Sequence, residues 1–89
     1  MSTETYLNHP TFGLLFRVCL IEGKRELFST LYAQRLFFLV SNSSDGIEFE
    51  PTNRTEAKVL VENRLRMLRR TRLSREYDQL QMIHKRTFQ

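Results

Sequence analysis

The two ends of this chain are made of different material, and the change falls at Pro51. Eight of the ten aromatic residues lie in residues 1–50, whereas ten of the 14 Lys and Arg residues lie in 51–89. Charge divides at the same point. Residues 1–50 hold four basic and six acidic residues, net −2, and residues 51–89 hold ten basic and four acidic, net +6. An aromatic, β-forming first part joined to a basic, periodic second part predicts a sheet followed by helices. With 89 residues in all, the chain has room for about one domain. A core this thin, burying about 60–65% of the unfolded surface, leaves little space for a substrate pocket, so a binding module is expected. The longest apolar run, residues 36–40, is of strand length and far short of the ~20 residues that cross a bilayer. Residues 1–9 have neither the basic nor the apolar region of a signal peptide. The single Cys19 excludes an internal disulfide framework and suits a reducing, cytoplasmic setting.

Five short strands are expected in the first half, over residues 4–7, 12–21, 25–32, 35–40 and 47–50. Pro10 ends the first, Gly13 reads as a bulge or close approach, and Glu22-Gly23-Lys24 as a tight turn. Residues 41–46 form an exposed turn. No helical crossover fits between the strands, so the sheet is small, bent and antiparallel. A two-residue loop at Ala33-Gln34 would set Tyr32 opposite Arg35, Thr30 opposite Phe37 and Phe28 opposite Leu39. The other face then carries Leu27, Leu31, Leu36, Phe38 and Val40. Both faces are apolar, and that conclusion survives a one-residue slip. One face fills the interior of the bent sheet. The other needs cover, from the C-terminal helices or from another protein. The reading is of a sheet wrapped on one flank by its own helices and available to a partner on the opposite flank.

In the second half, Asn53 and Glu56 fit a capping-box variant. Ala57, Leu60, Val61, Leu65 and Leu68 then share one helical face. Leu73, Tyr77, Leu80, His84 and Phe88 repeat the pattern, with Ser74 as a candidate cap. Residues 71–74 contain neither Gly nor Pro, so either a helical hairpin or one rod is open. We expect two helices, with a junction of modest stability. Domain boundaries are placed at 1–52 and 53–89.

Arg64, Arg66, Arg69, Arg70, Arg72 and Arg75 form a dense basic run. It reads either as a contact for phosphates or an acidic partner, or as a solvated face with Glu62–Arg66 as an i,i+4 pair. Tyr32-Ala33-Gln34-Arg35 sets an aromatic beside an Arg at a hairpin tip, and those residue types are enriched in interface hot spots. Tyr6 and Phe12 flank the His9-Pro10 turn. Cys19 has no local His or Asp to activate it, and no Cys, His or Asp set has metal-ligand spacing. Glu48 and Glu50 lack a pocket, and there is no Gly-rich phosphate loop. The residues therefore describe a non-enzymatic interaction module. A small nucleic-acid-binding protein using the Arg-rich helix is the alternative.

Several motifs carry a resemblance to a known family. Tyr6-Leu7-Asn8-His9-Pro10-Thr11-Phe12-Gly13-Leu14-Leu15 opens the chain and Leu31-Tyr32-Ala33-Gln34-Arg35-Leu36-Phe37-Phe38-Leu39-Val40 is its middle. Phe49-Glu50-Pro51, Leu60-Val61-Glu62-Asn63-Arg64-Leu65-Arg66-Met67-Leu68-Arg69-Arg70 and Glu76-Tyr77-Asp78-Gln79-Leu80-Gln81 follow. Together they resemble the PipX family, the PII-interacting proteins X of cyanobacteria. The resemblance implies an α+β protein with a five-stranded Tudor-like (SH3-like) sheet and two C-terminal helices, without catalytic activity or a cofactor of its own. It implies exchange between two partners in nitrogen control: the PII trimer when 2-oxoglutarate is scarce, and the transcription factor NtcA, as a dimer, when it is plentiful. In this reading 2-oxoglutarate and adenine nucleotides act through the partners. Further regulators join through the PII complex, and the free protein is a monomer that contacts neither nucleic acid nor membrane. The contact surface it implies is Tyr32, Gln34, Arg35, Leu36 and Phe38, with Glu4, Tyr6 and Phe12 beside it and Arg69 adding a contact to PII.

Overall fold

The computed structural model describes residues 6–30 and 36–88. The chain forms a five-stranded antiparallel sheet curled into a half-barrel, then two helices. The strands are β1 (Tyr6–His9), β2 (Gly13–Glu22), β3 (Arg25–Thr30), β4 (Phe37–Ser43) and β5 (Gly46–Thr52), and they pair in sequence order. Helix α1 is Arg54–Arg70 and α2 is Ser74–Phe88.

Turn chemistry explains the connections. Gly13 and Gly23 adopt φ of +77° and +51°, values an L side chain resists. Gly13 pairs with His9 across the first turn, so it closes a hairpin and is not the bulge expected there. Irregularities lie instead further along β2, between Arg17 and Cys19 and between Leu20 and Glu22; the first is the one that matters for the core. One extra residue there sends the neighbours Val18 and Cys19 into the same core, which strict alternation forbids, and bends the strand.

The β3–β4 register differs from the expected one by one residue. Phe28 faces Phe38, Leu27 faces Leu39 and Ser29 faces Phe37. Leu36 donates its amide to Thr30 Oγ1 at 2.9 Å, and the Thr30 amide donates to Leu36 O at 3.0 Å. The expected turn at Ala33-Gln34 lies outside the described residues. With apolar side chains on both faces, hydrophobicity alone does not choose between registers. The slip exchanges the faces: Phe28, Phe38 and Val40 point inward with Leu15, Leu7 and Phe49. Leu27, Phe37 and Leu39 point outward, under Ala57, Val61 and Leu68 of α1 and Leu80 and Phe88 of α2. The helices thus cover one flank, as expected. The opposite flank is filled by the sheet's own side chains and is not an open apolar face.

Helix α1 begins where the sequence places it. Asn53 Oδ1 accepts from the Glu56 amide at 2.8 Å, and the Asn53 side-chain amide donates to Glu56 Oε1 at 2.9 Å. This is a capping-box variant in which the return bond from Glu56 goes to the Asn53 side chain and not to its backbone amide. Its end is less legible. Arg72 adopts φ +61°; its amide donates to Arg69 O at 3.3 Å, and the Leu73 amide donates to Leu68 O at 3.1 Å. Those two bonds define a Schellman stop, ordinarily made with Gly. Thr71 Oγ1 donates to Met67 O at 2.9 Å, a carbonyl that also accepts from the Thr71 amide at 3.0 Å. The turn folds α2 back along α1, and Arg54 Nη1 donates to Thr87 O at 3.1 Å between the far ends. Ser74 is the first residue of α2, not its cap: Leu73 O accepts the first helical bond, from the Tyr77 amide at 2.9 Å. Because a left-handed arginine is strained by roughly 1 kcal/mol, Arg72→Gly is expected to raise the thermal midpoint by several degrees. Thermal unfolding checks this, and a lower midpoint would show that the arginine side chain outweighs its backbone strain.

Candidate protein-contact surface

Four of the sequence-derived contact residues, Glu4, Tyr32, Gln34 and Arg35, lie outside the described residues. The structure brings two of the others together. Phe12, at the tip of the β1–β2 turn, packs on Phe38 with ring centroids 5.6 Å apart. Phe12 is 46% exposed and Phe38 only 3%, so Phe38 supports the surface from beneath. Leu36 precedes β4, is exposed, and by alternation shares the face of Phe38. Tyr6 is 51% exposed but pairs with Phe16, and alternation sets it on the face opposite Leu7 and His9. Arg69 stands apart on α1, where it lines a groove with Asn63, Arg66 and Arg70.

The residue that organises this end is His9, to which sequence reasoning assigned no role. Its ring lies 5.0 Å from Phe12, 4.9 Å from Phe38 and 4.8 Å from Phe49. Its Nδ1 accepts from the amides of Thr11 at 3.0 Å and Phe12 at 3.2 Å. An acceptor Nδ1 leaves the ring proton on Nε2. Those two bonds fix the turn that presents Phe12. The ring contacts also tie β1 to β5, which share no backbone ladder, so side chains close the half-barrel. The pattern of bonds to amides two and three residues on is that of an Asx turn with His in the place of Asn or Asp; the sequence marked the turn through Pro10 but not the histidine's part in it.

The basic run is more solvated than paired. Among the described residues, none of Arg64, Arg66, Arg69, Arg70, Arg72 and Arg75 has a carboxylate partner. The expected Glu62–Arg66 pair is absent. Glu62 instead reaches His84 of α2 at 3.2 Å, and Arg66 donates to Asn63 Oδ1. Interhelical packing therefore takes the carboxylate that helical spacing offered to Arg66.

Chemistry elsewhere is quiet. Cys19 is buried, and burial pushes its thiol up to about 12, against the opposing pull of Arg17 and Arg64. A thiol so protonated is a poor nucleophile. Among the described residues no three His, Cys, Asp or Glu side chains gather as a metal set, and no helix is long and apolar enough to cross a membrane. A half-barrel closed by ring contacts, backed by a helical hairpin and edged with exposed aromatic side chains, defines a small α+β interaction module of Tudor-like architecture. The whole chain then supplies the family: the family model of PipX, PII-interacting protein X, matches residues 3–88. The chain belongs to that family. No curated protein gives a match.

Proposed function

We propose that this protein is a regulatory adaptor that binds either the PII signalling trimer or the transcription factor NtcA, and so links nitrogen control to 2-oxoglutarate. The observation that carries the reading is the family match along residues 3–88. PII holds the adaptor when 2-oxoglutarate is scarce and releases it when the metabolite is plentiful, and NtcA then takes it as a coactivator. The metabolite acts on the partners, and the adaptor follows their relative affinities. It works in the cytoplasm, as a monomer when free, with no catalytic step and no cofactor.

Both partners use the same end of the half-barrel, so binding is exclusive. Phe12 and Leu36 are exposed apolar side chains and serve as anchors beside Tyr32. Phe38 holds Phe12 in place. Gln34 and Arg35 supply directional donors to carboxylate or carbonyl groups, Glu4 and Tyr6 extend the surface, and Arg69 reaches PII from the helical side. The test is Tyr32→Ala in titrations against purified PII and against NtcA, each with and without 2-oxoglutarate. A hot-spot aromatic gives a loss of about 30-fold or more. Unchanged affinity for both partners, with the circular dichroism spectrum retained, overturns the shared surface. Arg66, Arg69 and Arg70, which have no carboxylate partner among the described residues, favour the second reading, nucleic-acid binding, which predicts a salt-sensitive gel shift by the isolated protein.

A further inference from the structure

A groove of about 450 Å³ runs between β2, α1 and α2, on the helical side of the molecule. This is within the size range of small-ligand sites. Its floor is apolar: Val18 and Leu20 from β2, Leu68 from α1, and Leu80 and Ile83 from α2. Two arginines enter it from different elements. Arg17 is already matched, its Nε bonded to Glu26 Oε2 at 2.5 Å. Arg64 is not. Among the described residues, this half-buried side chain has as its one polar contact the Met67 thioether, 3.6 Å away, and sulfur is a weak acceptor. Both guanidinium groups act electrostatically on Cys19, which also lines the groove, so their charges converge on one wall.

A half-buried guanidinium over an apolar floor has lost water and gained no anion. Its planar fork fits a carboxylate, and the floor accepts an aliphatic chain. Glu76, in the first turn of α2, also lines the groove, and among the described residues it has no ion pair. Its charge disfavours a second negative group on the ligand. We propose that this groove binds a small aliphatic monocarboxylate, with the carboxylate on Arg64 and the chain along Val18, Leu80 and Ile83. The site is separate from the partner-contact end. Because it touches three elements, its occupant stabilises the docked position of α2 by binding only the closed form.

The probe is hexanoate, titrated into the full-length protein and followed by amide NMR shifts, with 1-hexanol as the uncharged control. Saturable shifts centred on residues 17–20, 64 and 79–83 are expected, with slower amide exchange in α2. Arg64→Gln is expected to weaken hexanoate by about tenfold or more, as for a lost charged hydrogen bond. Glu76→Gln, on an exposed side chain, is expected to tighten it about twofold by removing a like charge. Should Arg64→Gln fail to fold, the Glu76→Gln and hexanol results decide. No saturable shift at the groove, equal binding of hexanol, or an affinity indifferent to both substitutions overturns the proposal.

Discussion

Phe38→Ala is expected to cost about 4 kcal/mol of folding stability, within the range for truncating a buried aromatic. Phe38 is almost fully buried and packs on Phe12, His9 and Phe49, with the last ring set edge-on at 6.4 Å. Removing it opens a cavity under all three rings. A domain of this size commands only about 5–15 kcal/mol in total, so the variant should approach unfolding at physiological temperature. Urea unfolding measures the loss. Ile47→Ala, at an exposed position of β5, is the control and should stay within about 0.5 kcal/mol. A loss below about 1 kcal/mol for Phe38→Ala would mean that the ring cluster does not close the half-barrel. Since Phe12 rests on this ring, partner binding should fall with it even where the variant stays folded.

Phe88→Ala is expected to cost about 3 kcal/mol, and to spend most of it on one element. Phe88 stacks on Phe37 of β4 with centroids 5.6 Å apart and planes 17° from parallel. The Arg54 guanidinium lies over the Phe88 ring, 5.6 Å from its centroid, and the His84 ring is 5.4 Å away. It therefore pins the last turn of α2 to the sheet. Without it, the amides of α2 should exchange much faster while those of β3 and β4 keep most of their protection. Met82→Ala, on the exposed side of the same helix, separates loss of docking from loss of helix propensity and should change little. Uniform loss of protection across the chain would show that sheet and helices unfold only together.

Architecture was legible in the residues because several independent signals agreed. Gly23 marked its turn, Asn53 and Glu56 marked the start of α1, and the spacing of Ala57, Val61 and Leu68 marked the buried stripe. Register was not legible. Phe37 and Phe38 are both buried, on opposite faces, so no alternation of polar and apolar residues fixed which ring points inward. The break after α1 was expected, but the way it is made was not legible: Arg72 adopts a backbone conformation that its residue type rarely marks. At the contact end, Phe12 was visible as an aromatic beside a turn. His9 was not, because its role rests on a tautomer and three ring contacts that appear only when β1 and β5 meet. The assignment of Tyr32 and its neighbours came from the resemblance, and the described residues leave it to the binding experiment.

Ring contacts, unlike a backbone ladder, leave β1 and β5 as the outer strands of the sheet, each with one side not paired to another strand among the described residues. Such rims invite strand-by-strand stacking between molecules. This chain carries safeguards against it: β1 is only four residues long, and β5 interleaves Glu48 and Glu50 before ending in Pro51-Thr52. Proline offers no donor, and charged side chains on an edge strand disfavour a copy laid alongside, although Glu50 is ion-paired to Arg25 at 3.5 Å. Substitutions that neutralise Glu48 and Glu50 would therefore expose the protein to fibrillar self-association long before they weakened its fold.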